Sequence, residues 1–119
     1  PGRNIWRTDS IHCTDIKSAT AAADSLQNNG FSIVGWDLEW HFNDQQRLVQ
    51  TMEEMMNKVD SVFLKNKTKT INHLVLLAHD QVFANSQDSA TLQNFIMQLK
   101  NKEEYNFEQV SRYPGATSQ

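Results

Sequence analysis

The chain is 119 residues long and 39% apolar, a size and composition that suit one domain or part of one, residues 1–119, with a hydrophobic core. Its net charge of −3 argues against a basic surface that binds duplex nucleic acid. The apolar runs are far shorter than the roughly 20 residues of a membrane span, and a single cysteine, Cys13, excludes an internal disulfide.

The first third of the chain predicts an irregular segment, a helix and a strand. Residues 1–13 are polar and irregular. Thr14 or Asp15 can cap a helix that Gly30 ends. Its apolar positions follow helical spacing: Ile16, Ala19, Ala23 and Leu26. Residues 31–36 are rich in β-formers and predict a strand.

The remainder predicts two more helices and two more strands. Asn43 or Asp44 can cap a helix whose apolar face repeats at steps of three and four, namely Leu48, Met52, Met55, Met56, Val59, Val62 and Phe63. Residues 74–78 are wholly apolar, as in a covered parallel strand. A third helix carries Leu92, Phe95, Ile96 and Leu99, and residues 106–110 predict a last short strand.

The order of helices and strands places two polar stretches where an active site would lie. Helices alternating with strands indicate an α/β protein with parallel strands. In such folds the chemistry gathers at the C-terminal ends of the strands. Residues 36–42 and the pair His79 and Asp80 occupy that position.

The residue types in these stretches allow several roles. His79 can act as a general acid or base, or can end the strand by binding a loop carbonyl. Asp37 and Glu39 point the same way in extended backbone, where they could orient a histidine, bind a cation or hydrogen-bond sugar hydroxyls. Trp36 and Trp40 can stack on a sugar ring or pack in the core.

Four segments together resemble the polysaccharide deacetylase (NodB-homology) family. LLAHD at residues 76–80 resembles the family's closing hydrophobic-x-His-Asp motif. WDLEW at 36–40 resembles its Asp/Trp motif, Pro1-Gly2 resembles the end of its Arg-x-Pro motif, and residues 107–115 resemble its closing strand. The segments occur in the family's order over nearly the whole chain.

The resemblance implies both a fold and an activity. The fold is the C-terminal half of a distorted (β/α) barrel, with parallel strands and amphipathic helices. The activity is metal-dependent hydrolysis of N- or O-acetyl groups on a polysaccharide such as chitin, peptidoglycan or xylan. His79 would protonate the leaving group, with Asp80 fixing it. Leu77 would line the acetyl pocket, Trp40 the groove wall, and Asp37 or Glu39 would tune the acid.

The resemblance also implies what the chain lacks. The family's Asp-Asp and His-x-x-x-His motifs, which supply its base and metal ligands, do not occur here. We therefore expect a divalent metal, zinc or cobalt, on residues upstream of Pro1, and a fragment that is inactive alone. A full-length protein of this kind would be extracellular or in the cell envelope.

Two further expectations remain open at this stage. Half a barrel leaves open sheet edges, which we expect to pair with a second copy or with the missing half. The alternative to an enzyme is a non-catalytic α/β module that binds a carbohydrate through Trp36, Trp40 and Phe42, or a protein through its Met-rich helix.

Overall fold

The computed structural model describes residues 3–116, and these group into two compact units. Residues 3–36 and 108–116 belong to one unit, and residues 37–107 form the other. The Pro1-Gly2 resemblance lies outside the described residues. No helix among residues 3–116 has both the length and the apolar character needed to cross a bilayer.

The first unit begins with an antiparallel hairpin that the sequence did not predict. Strands β1 (Ile5–Arg7) and β2 (His12–Thr14) pair with Trp6 opposite Cys13. A 3₁₀ turn, Lys17–Ala19, then leads into helix α1 (Thr20–Asn28). The predicted helix is confirmed, but its α-helical part starts after the expected caps. Gly30 follows it with a φ of 87°, a conformation that glycine adopts without strain.

The strand predicted over residues 31–36 is wrong except for a single bridge. Ile33 exchanges two backbone hydrogen bonds of 2.8 Å with Arg7, and the ladder stops there. The Asn4 side chain donates to the carbonyl of Trp36 at 2.9 Å and accepts from its N–H at 3.0 Å. Because this side chain satisfies the backbone of Trp36, no neighbouring strand is needed there.

The second unit contains the parallel pairing that the alternation of elements predicted. Strand β3 (Leu38–Glu39) lies parallel to β4 (Leu76–Leu77), with Glu39 opposite Leu77. The pairing extends beyond each strand, since Asp37 donates to the Val75 carbonyl at 2.8 Å and Trp40 donates to the Leu77 carbonyl at 2.9 Å. The two strands therefore start and end side by side.

Two amphipathic helices cover this pair. Helix α2 (Met52–Leu64) begins at a capping box formed by Thr51 and Glu54, and helix α3 (Ser86–Asn101) begins at Asn85. Both helices were predicted, although α2 was expected to start earlier, at Asn43 or Asp44. Their inner faces enclose a core made of Trp40, Met55, Val59, Phe95 and Leu99.

Two sequence predictions concern the extent of the sheet. The last strand, expected at residues 106–110, is wrong: the chain there is irregular and ends in a 3₁₀ turn, Val110–Arg112. Phe107 and Val110, two of its expected apolar residues, are mostly exposed. The described residues form two sheets of two strands each. The deacetylase-type barrel stays a prediction.

Candidate functional site

The candidate site lies where β3 and β4 end. Because the strands are parallel and in register, the residues after them emerge at the same edge of the sheet. Glu39 ends β3, and His41 and Phe42 follow it. His79 follows β4 by two residues and precedes a short 3₁₀ helix, Asp80–Ala84. Register and strand polarity alone bring these side chains together.

A carboxylate and an imidazole form the centre of the site. His79 Nε2 lies 2.9 Å from Glu39 Oε2, within hydrogen-bond distance. Both side chains are about three-quarters buried, with exposed fractions of 28% and 26%. A partly enclosed carboxylate that accepts from one ring nitrogen sets the tautomer and the orientation of the ring. The other nitrogen, Nδ1, is left for chemistry.

Two further rings surround this pair. His41 Nδ1 lies 3.8 Å from the same oxygen of Glu39, and the His41 side chain is mostly exposed. The Phe42 ring packs against the His79 imidazole, with centroids 4.9 Å apart and planes inclined at 59°. The imidazole of His79 is thus held by a carboxylate at one nitrogen and by an aromatic ring beside it.

Asp37 has a structural role that separates it from Glu39. Its two oxygens accept backbone N–H groups from Lys69 at 2.7 Å and Val75 at 2.8 Å. Burial raises the pKa of Asp37, and the two backbone hydrogen bonds oppose that shift. Of the two carboxylates that the sequence offered as partners of His79, the structure brings Glu39 to it and uses Asp37 to fasten the loop before β4.

The other predicted site residues lie in different surroundings. Trp40 is completely buried, stacks edge-on against Phe95 and donates from its indole to the Gln50 carbonyl at 2.9 Å. It therefore belongs to the core and offers no surface to a sugar.

The remaining predicted site residues are less buried. Leu77 is half-buried in β4, and Asp80 is exposed. Trp36 is half-buried and belongs to the first unit.

The described residues do not fit a metal centre by themselves. Within residues 3–116, no three His, Cys, Asp or Glu side chains are grouped so that they could hold a metal ion. The nearest grouping is Glu39 with His41 and His79, in which the carboxylate binds an imidazole directly.

Two residues near the site, Phe42 and His41, make contacts that the sequence did not predict. Phe42 was considered only as a sugar-stacking residue, and its packing on His79 has no signature in the sequence. His41 was part of the predicted polar cluster at residues 36–42, but its approach to Glu39 was not predicted, although alternation along an extended chain puts the two on the same side. A pocket of about 250 Å³ is lined by residues 48–52, which follow Phe42 closely in the sequence, together with Asp88 and Thr91.

Comparisons with known proteins add no relative. No protein-family model, no curated protein and no solved structure matches the chain.

Proposed function

We propose that this chain is the acid-supplying, C-terminal part of a metal-dependent polysaccharide deacetylase, with His79 as the general acid and Glu39 as its partner. The observation that carries the proposal is the 2.9 Å contact between His79 Nε2 and Glu39 Oε2 at the C-terminal edge of a parallel strand pair. This is the place where α/β enzymes gather their chemistry.

In this proposal, each nitrogen of His79 has its own role. In the protonated ring, Nε2–H donates to Glu39 and Nδ1–H faces away from that carboxylate. As the bond between the acetyl carbon and the leaving amine or alkoxide oxygen breaks, Nδ1 transfers its proton to the leaving atom. The ring is then neutral. Its remaining proton stays on Nε2 and still donates a hydrogen bond to Glu39. The carboxylate stabilises the charged ring before transfer and holds it in place afterwards.

The proposal extends to the substrate and the setting. A glycan of the chitin, peptidoglycan or xylan type would bind above this edge, with Leu77 beside the acetyl methyl and Asp80 on the exposed rim. The metal, zinc or cobalt, and the activated water would come from more N-terminal parts of the family's fold. Such an enzyme would work outside the cell or in its envelope, and this chain alone would not turn over substrate.

The burial of Trp40 and of the methionines on α2 favours this proposal over a non-catalytic binding module. Stacking on a sugar needs an exposed aromatic face, and Trp40 has no exposed surface. The Met-rich face of α2 is also directed inward, since Met55 is fully buried in the core and Met52 and Met56 pack against it. Trp40 and the Met-rich face therefore serve the core, whereas Trp36 and Phe42 are half-buried and keep part of their surface exposed.

The test is acetate release by the full-length gene product that contains this chain, with zinc or cobalt present. Replacing the acid, His79→Ala, should lower kcat by about 10²–10⁴-fold, because general acid catalysis contributes that much. Glu39→Gln should lower kcat by less, since the imidazole remains but loses its charged partner. The measurement is acetate formation from acetylated chito-oligosaccharide, peptidoglycan and xylan.

His73→Ala is the matched control. His73 is exposed, precedes β4, and places its Nδ1 atom 2.8 Å from the carbonyl of Ile71. We expect this variant to retain full activity. The proposal is overturned if the full-length protein releases no acetate from any of the three glycans, or if His79→Ala is as active as His73→Ala.

A further inference from the structure

The segment after β3 forms a closed loop, the Phe42 hairpin (residues 42–48). Phe42 and Leu48 make an antiparallel bridge. Between them, Asn43 donates to the carbonyl of Arg47 at 2.9 Å, and its side-chain oxygen accepts the Arg47 N–H at 3.0 Å. Gln46 turns the chain with a φ of 59°. The bridge and these hydrogen bonds hold the two ends of the loop together.

One end of the Phe42 hairpin lies on the candidate acid. The Phe42 ring is half-buried and packs 4.9 Å from the imidazole of His79. Glu39 holds the same imidazole by its Nε2 atom. The hairpin therefore limits which way the Nδ1 atom of His79 can point.

The other end of the Phe42 hairpin is fastened to α3. Arg47 Nε donates to Asp88 Oδ2 at 2.7 Å, and the Leu48 N–H approaches the same oxygen at 3.4 Å. A second guanidinium nitrogen of Arg47 donates to Gln87 Oε1 at 3.0 Å. The Asp88 side chain is only 8% exposed, and Arg47 holds its pKa below the usual value. A buried carboxylate is costly without such a partner, so the contact with Arg47 compensates for the burial of Asp88.

We propose that Asp88 and Arg47 are positioning residues that set the orientation of the His79 imidazole through the Phe42 hairpin. The inference rests on the proposed function only in treating His79 as the acid. The chain of contacts runs from α3 through Asp88, Arg47 and Phe42 to the ring. It links a residue of α3 to the site although Asp88 does not touch His79 in any described contact.

The test is nuclear magnetic resonance of the whole 119-residue chain labelled with ¹⁵N. Ring-current shifts of the His79 imidazole protons report the position of Phe42, and two-bond ¹H–¹⁵N spectra report the tautomer. In Asp88→Asn, we expect the ring-current shift to shrink and the two tautomers to mix. Phe42→Leu should remove the ring-current shift altogether, and Arg47→Lys should give an intermediate result because it keeps the charge but loses the planar fork.

Asp60→Asn is the matched control. Asp60 is also a carboxylate paired with a cation, Lys102, at 3.0 Å, but it lies on α2 and does not contact the Phe42 hairpin. Its removal should leave the His79 signals unchanged. The inference is overturned if Asp88→Asn or Arg47→Lys stays folded and its His79 signals match those of the wild type. Should Asp88→Asn fail to fold, Arg47→Lys and Phe42→Leu decide the matter.

Activity of the full-length protein separates this inference from the proposed function. Misplacing a reacting group by about 1 Å can cost on the order of 10²-fold, so Asp88→Asn should lower kcat by about ten- to a hundredfold and leave KM unchanged. If the His79 signals respond to Asp88→Asn while His79→Ala keeps full activity, the positioning inference holds and the proposed function fails. If His79→Ala is inactive and the signals do not respond, the reverse is true.

Discussion

At the scale of single residues, two carboxylates two positions apart have different tasks. Asp37 accepts two backbone N–H groups and fastens the loop that enters β4. Glu39 accepts a hydrogen bond from the ring of His79. The sequence puts both on one side of an extended segment, and the structure separates them by what each meets. Asp37 faces the backbone of residues 69–75, whereas Glu39 lies at the strand end, where His79 emerges.

Gly35 provides a prediction at this scale. A Cβ atom there would overlap Asn4 Oδ1 and lie 2.7 Å from Trp6 Nε1. Neither neighbour is free to move, because Asn4 binds both backbone groups of Trp36 and Trp6 is completely buried against Tyr113. Gly35→Ala should therefore lower the free energy of unfolding by about 1–3 kcal/mol.

Urea unfolding followed by tryptophan fluorescence measures this loss. The control is Ser18→Ala, an exposed position in the same unit, which should stay within about 0.5 kcal/mol of the wild type. Equal stability of Gly35→Ala and Ser18→Ala would show that the Asn4 and Trp6 side chains yield more easily than their contacts indicate.

The candidate site could be predicted from the sequence only in part. The apolar strand followed by a histidine indicated His79, and strand alternation indicated Glu39 as one of two partners. Nothing local indicated Arg47 and Asp88, because their contact joins residues 41 positions apart and depends on where α3 begins. Trp40 is an ambiguous residue type, and only its burial shows that it belongs to the core.

At the scale of elements, the start of α2 depends on one side chain. Thr51 Oγ1 accepts the N–H of Glu54 at 3.1 Å, and Glu54 Oε1 accepts the N–H of Thr51 at 3.2 Å. Thr51→Ala removes half of this capping box and should lower the free energy of unfolding by about 1 kcal/mol.

Thr91→Ala, measured by the same urea titration, is the matched control. Thr91 lies inside α3, where its hydroxyl donates to the carbonyl of Gln87 one turn earlier and caps nothing. Alanine has the higher helix propensity, so this change should cost little. If both threonine variants lose the same stability, the capping box is not what stabilises the first turn of α2.

The helices could be predicted from the sequence better than the strands, for a physical reason. A helix is defined by its own periodicity, so the apolar positions of α2 and α3 were found even though the start of α2 was displaced. That displacement arises because Asn43, a good capping residue, closes the Phe42 hairpin instead. Strands need partners, and residues 106–110 have none among the described residues.

At the scale of the whole molecule, charged pairs join separate segments of the chain within each unit. In the first unit, buried Arg7 donates to Asp24 at 3.3 Å and to the carbonyl of Trp6 at 2.9 Å. In the second, Arg47 pairs with Asp88, and Asp60 accepts from Lys102 and from Tyr105. The pairs of the second unit make the stability of the fold depend on pH.

The direction of that dependence follows from three carboxylates in the second unit. The Tyr105 hydroxyl and Lys102 lower the pKa of Asp60, and Arg47 lowers the pKa of Asp88. A group with a lowered folded pKa stabilises the fold fully above its unfolded value of 3.8 and loses that contribution as the pH falls through the folded value. Asp37 acts in the opposite direction, since its pKa is raised, and its ionisation weakens the fold as the pH rises through the folded value.

We therefore expect the stability difference between the wild type and Asp88→Asn to be greatest near neutral pH and to shrink below about pH 4. Asp60→Asn should follow the same course with a smaller amplitude, because its carboxylate is half-exposed and screened by solvent. For Asp37→Asn the difference should change the other way, with the wild type gaining relative to the variant as the pH is lowered from neutral towards about 4. Urea titrations at constant ionic strength across this range measure all three differences.

Parallel stability curves for the wild type and Asp88→Asn at every pH would mean that the Arg47–Asp88 pair contributes no charge-dependent stability. That outcome would also remove the electrostatic basis for the anchoring of the Phe42 hairpin on α3.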